Sequence, residues 1–571
     1  MSSPDDAEST RVRLRSLLAK AESWLAIDPD PATRASLHAM VERTIHDGNP
    51  DELLDHLGTR LSFGTAGLRG EMGPGSNRLN RLMARQTAAG LAVALIDHGH
   101  DASRRGILVG HDARHHSAVF ARDIVSVLVA AGVPCQLVEG TTPTPLIAWG
   151  VRHLGAAAGV VVTASHNPAK DNGIKIYWAD GAQIIPPVDG WIADAIAANA
   201  GINPAGSDAD PALAPASLTD DYVAMVTDLV GPAAAATGDR SSTVIASTAM
   251  HGVGAALLKR CLAAAGFGQV TFVAEQEQPD PDFPTVPFPN PEEAGATDLL
   301  VALAERIEAD VAIANDPDAD RVAVAIRGTD GAFRLLTGDE LGALFAAGLL
   351  ERRGAGDGRT PLLVTTVVSS QLLASIAASV GAVFVETLTG FKWLCRPGFE
   401  HPELDQVLAY EESIGYAVGG LCDKDGISAA TVFCDLVTGW KASGRTPQRV
   451  LDELAVAHGA HVTNNFSIRV GGVGWAERLA AAVASFVAAP PTHLAGVSVD
   501  RLDQPADDVI RLFLANGDRA VIRPSGTEPK LKCYIEAVEP AASLEAADAA
   551  RATARSRTVA VAEDLRARFS L

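Results

Sequence analysis

Short apolar runs rich in β-branched residues alternate along most of the chain with longer Ala- and Leu-rich amphipathic segments. Short runs of this composition predict buried strands, and the longer segments predict helices that cover a sheet. The alternation therefore predicts an α/β protein in which helices and sheets form layers.

One order of predicted elements, strand, helix, strand and strand, occurs three times along the chain. The predicted elements are 106–110, 118–131, 136–138 and 159–163, then 243–247, 255–265, 270–274 and 311–314, then 362–368, 371–380, 383–386 and 407–410. The last strand of each copy runs into a polar loop, which reads TASHNP, NDPDADR and EESIGY in turn. Because catalytic groups of α/β sheets collect at strand ends, these loops are candidates for the functional site.

The 571 residues predict three to five domains, at about 100–200 residues each. A segment rich in Pro, Ala and Asp at 201–217 indicates a linker, and weaker breaks lie near 328–331 and after Lys441. From about residue 454 the alternation of apolar and polar segments changes, and this part has its own polar loop, RPSGTEPK. We therefore predict four domains, at 1–215, 216–330, 331–453 and 454–571.

The net charge of −22 is spread through the chain, and no block of Lys and Arg offers a footprint for nucleic acid. The polar, acidic N-terminus is unlike a signal peptide, and no run reaches the roughly 18 apolar residues of a membrane span. The six cysteines are far apart without a C-x-x-C pair, which predicts reduced, buried thiols. These features predict a cytoplasmic protein without a membrane or nucleic-acid partner.

Ser165 follows a predicted buried strand and has His166 beside it. Such a pair alone is most often a helix cap or a polar loop, but Lys170 and Lys175 add the cations that a phosphorylated hydroxyl requires. A Ser/His/Asp hydrolase is the obvious alternative. It is disfavoured because G-x-S-x-G is missing and Thr163 stands two residues before the serine.

Asp316, Asp318 and Asp320 stand at alternate positions directly after an apolar strand, so a tight loop can turn all three carboxylates toward one hard cation. A calcium EF-hand needs Gly and Glu at the sixth and twelfth loop positions, where this chain has Arg321 and Arg327. The calcium interpretation therefore fails. An aspartyl nucleophile stays open as a minor alternative, because D-x-D next to a strand also serves that chemistry.

Two further strings have the composition of anion sites. RPSGTEPK, at 523–530, combines a guanidinium, two hydroxyls and a glycine, which together suit a phosphate cradle. FGTAGLRG, at 63–70, has three glycines and suits a backbone that curls around a site with Arg69 aimed at a phosphoryl group. No G-x-x-x-x-G-K-[ST] occurs, so ATP binding has no support.

FGTAGLRG, TASHNPAKDNGIKIY, DPDADR, EESIGY and RPSGTEPK, in this order, resemble the α-D-phosphohexomutase superfamily over nearly the whole chain. The flanks GLRGEMGPGSNRLN and TLTGFKW are most similar to the glucose and mannose mutases grouped with phosphopentomutase. The resemblance implies three related α/β domains with mixed sheets and a smaller α+β domain around a central cleft. It also implies an enzyme that interconverts hexose 1-phosphate and hexose 6-phosphate through a phosphoserine and a sugar bisphosphate.

The resemblance also assigns residues to roles. The implied catalytic residues are Ser165, His166, Lys175 and Arg69. The implied ligands of a Mg²⁺ ion are Ser165, Asp316, Asp318 and Asp320. The implied substrate-binding residues are Arg321, Gly390, Glu411, Ser413, Arg523, Ser525, Gly526 and Thr527. Some members have a histidine shortly after the Glu-x-Ser pair, where this chain reads Ile414-Gly415-Tyr416, so Lys175 or a substrate phosphate is the alternative for proton transfer.

The implied partners are sugar phosphates and a sugar bisphosphate activator, and the sequence makes no prediction of the oligomeric state. A relative that prefers pentose phosphates and one that makes sugar bisphosphates are alternatives on the same fold. A non-catalytic paralogue is a further alternative. Intact Ser165 and three intact aspartates argue against it, because a scaffold protein needs no metal loop.

Overall fold

The structure is a computed structural model that describes residues 4–62, 67–98, 101–232, 237–353, 358–470, 474–524 and 530–569. Its first elements are three helices, α1 (Pro4–Ile27), α2 (Pro31–Asp47) and α3 (Asp51–Leu57). Asp30 caps α2 by accepting a hydrogen bond from the amide of Ala32, and Gly48 ends the helix in the left-handed region. Leu37 and Leu53 are fully buried in a core shared with the first sheet.

Domain I is a mixed sheet covered by helices. Its elements are β1 (Leu68–Glu71), α4 (Arg81–His98), α5 (Ala102–Arg105), β2 (Ile107–His111), α6 (Ser117–Ala130), β3 (Cys135–Leu137), α7 (Thr144–Leu154), β4 (Ala158–Val162), β5 (Asp171–Trp178), α8 (Val188–Ala198) and β6 (Ala212–Leu213). The strand order is β1-β5-β4-β2-β3-β6, with β5 antiparallel to β4 and β1 antiparallel to β5. The segment predicted as a linker at 201–217 contains β6, which pairs in parallel with β3.

Domains II and III repeat this arrangement. Domain II contains α9 (Leu218–Val230), β7 (Val244–Thr248), α10 (Gly254–Ala265), β8 (Gln269–Phe272), α11 (Asp298–Arg306), β9 (Val311–Asn315), β10 (Val322–Arg327) and β11 (Phe333–Leu335). Domain III contains α12 (Gly338–Arg353), β12 (Pro361–Thr366), α13 (Leu372–Val380), β13 (Val383–Thr387), α14 (Phe391–Leu394), α15 (Arg396–Glu400), β14 (Asp405–Glu411), β15 (Gly415–Val418), α16 (Gly426–Ala442) and α17 (Pro447–His458). Their strand orders are β11-β10-β9-β7-β8 and β13-β12-β14-β15.

The predicted repeat is confirmed. In each domain one parallel strand, β4, β9 or β14, is buried along most of its length and runs into a polar loop, after which the chain returns as the antiparallel strand β5, β10 or β15. Near-continuous apolar runs produce such strands because helices cover both faces of the sheet. The three returning strands were not among the predicted elements.

Domain IV is an antiparallel sheet with two helices, as expected for a distinct α+β domain. It contains β16 (Ala460–Arg469), α18 (Trp475–Ala488), β17 (His493–Leu494), β18 (Val497–Ala506), β19 (Val509–Leu514), β20 (Arg519–Pro524), β21 (Lys530–Glu539) and α19 (Ala547–Arg568). The strand order is β16-β21-β20-β19-β18-β17. Across the described ranges, no helix combines the length and the apolar character that crossing a membrane requires.

A buried ionic network docks domain IV onto domain III. Arg519 and Glu536 are each 3% exposed, and the Arg519 Nη2 atom lies 3.2 Å from the Glu536 Oε2 atom. Arg519 also donates to the carbonyl oxygens of Val367 and Ser369 in domain III. Glu536 accepts hydrogen bonds from the Ser370 hydroxyl at 2.5 Å and from His461 Nδ1 at 2.8 Å. Burial opposes ionisation of Glu536, but His461 and Arg519 lower its pKa to about 2.

We predict that Arg519→Ala destabilises the docked domain by about 3–5 kcal/mol, because it leaves a buried carboxylate without its guanidinium. Urea unfolding followed by tryptophan fluorescence measures the change. The matched control is Arg501→Ala on β18, whose side chain is 57% exposed, and it should cost less than about 1 kcal/mol. Equal unfolding midpoints for the two variants would contradict the assignment.

Because the pKa of Glu536 is lowered in the folded state, the stabilising contribution of this carboxylate is complete above about pH 4.3 and is lost as the pH falls toward 2.

Candidate active site

The loop after β4 holds Ser165 in an unusual backbone conformation. Ser165 has φ 54°, in the left-handed region that few residues other than glycine adopt. The guanidinium of Arg114 stabilises this loop by donating to the carbonyl oxygens of Ser165, Asn167, Pro168 and Asp171 at 2.5–3.1 Å. A buried charged side chain therefore holds the backbone on which the candidate nucleophile stands.

The Ser165 hydroxyl faces the acidic loop of domain II. Its Oγ atom donates to Asp316 Oδ2 at 2.8 Å and lies 3.2 Å from His166 Nδ1. Ser165 is 1% exposed, so this contact is shielded from water. Two loops that are 151 residues apart in sequence thus meet at one point.

The loop between β9 and β10 turns its three carboxylates to one side. Asp316, Asp318 and Asp320 are fully buried, and one oxygen of each lies within 4.8 Å of the others. Ala319, with φ 57°, makes the tight turn between them. The strand-to-helix turn HGVG packs under this loop so closely that a Cβ atom on Gly252 would lie 2.3 Å from Pro317 Cα. A side chain at position 252 would therefore displace the acidic loop.

Two lysines from other domains reach these carboxylates. Lys175 on β5 lies 2.6 Å from Asp318 Oδ2 and 2.5 Å from Asp320 Oδ2, and Lys424 lies 3.2 Å from Asp320 Oδ2. Sequence reasoning identified Lys175 but missed Lys424, whose signal was the charged string DKDG before α16. It also missed Thr144, which donates to Asp318 Oδ2 at 2.6 Å.

The residues of this loop fit a hard divalent cation. Among the described residues, the Oδ1 atoms of Asp318 and Asp320 are buried without a hydrogen-bond partner. Unpaired carboxylate oxygens are costly to bury unless a cation coordinates them, and oxygen ligands suit Mg²⁺. Burial and the two neighbouring carboxylates raise the pKa of Asp316 well above its usual range. A divalent cation would relieve both the repulsion among these carboxylates and the burial of their unpaired oxygens.

Two arginines also lie close to the acidic loop. Arg321 donates its amide to Asp316 Oδ1 at 3.0 Å and its Nη1 atom to the Ser413 carbonyl at 3.2 Å. Arg69 lies on β1 close to the aspartates, and its buried Nε atom has no hydrogen-bond partner in the described part of the chain. Burial, with the charges of Arg321 and Arg69, lowers the pKa of His166 well below its usual value. The imidazole beside Ser165 is therefore neutral at pH 7.

Domain III contributes the loop after β14. Glu411 is 7% exposed and lies near the charges of Lys424 and Arg321. Gly390 adopts φ 109° directly before α14, and the next residue, Phe391, has its ring centroid 5.8 Å from Lys424 Nζ. The structure therefore brings Glu411, Ser413 and Gly390 to the edge of the same cluster.

Tyr416 occupies the neighbourhood in which some members of the resembled family carry a histidine. Its side chain is fully buried, and its hydroxyl donates to the Gly338 carbonyl at 2.9 Å. Tyr416 is thus a core residue that does not face the acidic loop.

Domain IV contributes Arg523, at the end of β20. Arg523 is half-buried, its Nε atom has no hydrogen-bond partner within the described ranges, and its charge acts on Glu412. The other predicted members of this phosphate cradle, Ser525, Gly526 and Thr527, lie outside the described residues. The cradle thus stays a prediction for those three residues.

The comparison with known proteins agrees with this geometry. Four profiles of phosphoglucomutase/phosphomannomutase match in order: alpha/beta/alpha domain I at 60–201, domain II at 220–329, domain III at 337–457 and the C-terminal domain at 479–554. The fold and these matches define a phosphosugar mutase scaffold. The chain belongs to the phosphoglucomutase/phosphomannomutase family, within the α-D-phosphohexomutase superfamily, which confirms the resemblance.

Individual relatives differ in the sugar that their names specify. Phosphopentomutase of Mus musculus is 35% identical over 90% of this chain and 89% of its own length. A probable phosphomannomutase of Haemophilus influenzae is 38% identical over 80% of this chain and 93% of its own. The crystal structure of a putative phosphomannomutase from Thermus thermophilus superposes with a TM-score of 0.67 and 24% identity, covering 89% of this chain and 99% of its own, which supports the fold.

We predict that Asp318→Asn and Asp320→Asn each weaken Mg²⁺ binding by about tenfold or more, because each removes one charged oxygen ligand. Isothermal titration calorimetry with Mg²⁺ measures the affinity. Asp330→Asn is the matched control, since Asp330 is exposed in the turn before β11 and should bind Mg²⁺ as the wild type does. Unchanged affinity in both site variants would overturn the metal assignment.

Proposed function

We propose that this protein interconverts hexose 1-phosphate and hexose 6-phosphate, with glucose or mannose phosphates as substrates, by transferring a phosphoryl group through Ser165. The observation that carries the proposal is the 2.8 Å contact between the buried Ser165 hydroxyl and Asp316 in the acidic loop. Family membership supports a phosphotransferase of the isomerase class.

The charges of the site suit a phosphorylated serine. Asp316, Asp318, Asp320 and Ser165 would hold a Mg²⁺ ion, which when bound neutralises charge on the transferring phosphoryl group. Three carboxylates and a doubly charged phosphoserine exceed the charge of one such ion. The site therefore also needs cations, which this acidic chain supplies locally as Lys175, Lys424, Arg321 and Arg69.

Phosphoryl transfer in this site exchanges one oxygen–phosphorus bond for another. A free hydroxyl of the sugar monophosphate attacks the phosphorus on Ser165, the bond from Ser165 Oγ breaks, and a sugar bisphosphate forms. The proton lost by the sugar hydroxyl balances the proton that Ser165 Oγ gains. The neutral His166 ring lies 3.2 Å from Ser165 Oγ, where it can orient the Ser165 hydroxyl during the exchange.

The two ends of the bisphosphate must then exchange places. Arg523 and the loop that follows it would hold the phosphate that is not reacting, because a guanidinium binds phosphate through parallel hydrogen bonds. Once the bisphosphate turns over, its second phosphate returns to Ser165 and the isomeric monophosphate leaves. The phosphate cradle must accept the bisphosphate in both orientations. This requirement favours contacts with the phosphate charge and the sugar hydroxyls over contacts with one unique face of the sugar.

Pentose phosphates are the second candidate substrates. The specific support is the 35% identity to mouse phosphopentomutase over 90% of this chain. The chemistry at Ser165 is the same for both sugar classes, so the two candidates differ in the sugar that the cleft accepts and not in mechanism.

Ser165→Ala should abolish turnover, because it removes the hydroxyl that carries the phosphoryl group, while sugar phosphate binding persists. A coupled assay with glucose, mannose and ribose 1-phosphates measures turnover, and intact mass spectrometry detects the phosphoryl group on the wild type. Ser556→Ala, an exposed serine on α19, is the control and should retain full activity and phosphorylation. Near-normal activity of Ser165→Ala would refute the role of the serine, and a label on an aspartate would favour the aspartyl nucleophile.

Arg523→Ala should weaken sugar phosphate binding by about 1.5–3 kcal/mol, the usual loss for a charged hydrogen bond. Calorimetric titration of the non-phosphorylated enzyme with glucose 6-phosphate measures this loss. Arg501→Ala, exposed on β18 of the same domain, should bind as the wild type does. An unchanged affinity in Arg523→Ala would count against the cradle.

A further inference from the structure

A proline-rich loop of domain II lies beside the candidate active site, and no motif of the sequence analysis includes it. The loop follows the 3₁₀ turn Ala274–Gln276 and leads to α11. Six of its residues are proline: Pro279, Pro281, Pro284, Pro287, Pro289 and Pro291. Because each proline fixes φ, this loop loses little conformational entropy when it becomes ordered.

The base of the loop is held by domains I and II together. The Arg114 guanidinium, which also holds the Ser165 loop, lies 4.9 Å from the centroid of the Phe283 ring. His115 Nε2 lies 2.7 Å from Asp282 Oδ1, and His251 Nε2 lies 2.8 Å from Thr285 Oγ1. The loop therefore has a fixed position relative to Ser165.

Two side chains of the loop lie beside residues of the candidate active site. Phe288 is 39% exposed, and its ring centroid lies 6.3 Å from that of His166, the neighbour of Ser165. Glu292 Oε2 lies 3.6 Å from Nη1 of Arg321, the residue that follows Asp320 of the acidic loop. The loop thus extends along the cleft from the nucleophile to the guanidinium of the metal loop.

Glu292 also lines a cavity of about 240 Å³ in which domains II, III and IV meet. Glu412 and Ile414 contribute from domain III, and Asn464 and Tyr534 contribute from domain IV. The lining thus combines carboxylates, an amide and a phenol. All of these groups can hydrogen-bond to a hydroxyl.

The charged groups around the cavity beside Glu292 indicate which part of a sugar phosphate, the phosphate or the sugar ring, this cavity suits. Glu411 and Glu412 raise the pKa of Glu292 here, while Arg321 and Lys532 oppose them, so the cations that act on Glu292 already face carboxyl groups. Phosphates are served instead by the cations at Ser165 and at Arg523. The hydroxyl groups of a sugar ring are the part of the substrate that this lining of carboxyl groups, amides and a phenol suits.

We propose that Phe288 and Glu292 recognise the sugar ring of the substrate. Phe288 packs against an apolar face of the ring, and Glu292 forms a hydrogen bond with a ring hydroxyl. This inference rests on the proposed function, because it assumes that a sugar phosphate occupies the cleft. It adds the proline-rich loop of domain II to the groups that recognise the substrate, beside Arg321 and the Glu411 loop of domain III.

The protonation of Glu292 supports this role. Although 36% of its side chain is exposed, the surrounding cavity wall removes enough water to raise its pKa to about 7 against the attraction of Arg321. Glu412 and Glu411 raise the pKa further, while Lys532 opposes them. A carboxyl group with this pKa is present in both forms near neutral pH. It can therefore donate a hydrogen bond to one sugar oxygen or accept one from a hydroxyl.

The test compares Glu292→Gln, Phe288→Ala and Phe288→Leu with the wild type in the coupled assay, using glucose, mannose and ribose 1-phosphates. Glu292→Gln should lower kcat/KM by about tenfold or more for the preferred sugar and reduce the ratio of kcat/KM between glucose and mannose phosphates. Phe288→Ala should lower kcat/KM for hexose phosphates, and Phe288→Leu should recover part of the loss because it restores apolar area. Glu293→Gln, at the exposed neighbouring position, is the matched control and should leave all values unchanged.

The readouts separate recognition from folding and from the proposed function. Thermal unfolding midpoints equal to the wild type would show that the variants are folded, as expected for the exposed Phe288. Wild-type values in both Glu292→Gln and Phe288→Ala would overturn the inference, and so would an equal loss for every sugar with unchanged ratios. If the wild type itself shows no turnover and no phosphoryl group on Ser165, the proposed function fails and the inference fails with it.

Discussion

The structure depends on one electrostatic constraint, the burial of three carboxylates in one tight loop. Asp316, Asp318 and Asp320 are fully buried, and such a group is stable only when positive charge compensates it. The compensating side chains come from different domains, Lys175 from domain I and Lys424 from domain III. The charge requirement of a loop in domain II therefore links three domains.

The repeated topology explains how the necessary groups come to lie together. In each α/β domain the polar loop joins a buried parallel strand to the antiparallel strand that pairs with it, so the loop has an equivalent place in each sheet. Backbone pairing between Arg321 and Gly415 brings the loops of domains II and III into contact. Contact between Ser165 and Asp316 does the same for domains I and II. A threefold repeat thus yields one site, with a different chemical group from each copy.

The sequence predicted the repeat and most of its strands to within about two residues, because buried strands and polar loops are local patterns. It also indicated the loops that contain Ser165 and the three aspartates. The positions of Lys424, Thr144 and Glu292 could not be predicted, because their roles depend on partners that only folding brings close. The hydrogen bond from Thr144 to Asp318, for example, joins residues 174 positions apart. The roles of Ser165 and Arg523 stay predictions that the activity and binding measurements decide.

The helices α1 to α3 precede the region that matches the family, which begins at residue 60. Their apolar side chains, such as Leu37 and Leu53, share one core with Leu79 and Leu82 beside the strand that carries Arg69. A chain shortened to the family boundary would expose that side of domain I to water and favour aggregation. The three helices are therefore a permanent cover of the domain and not a removable appendage.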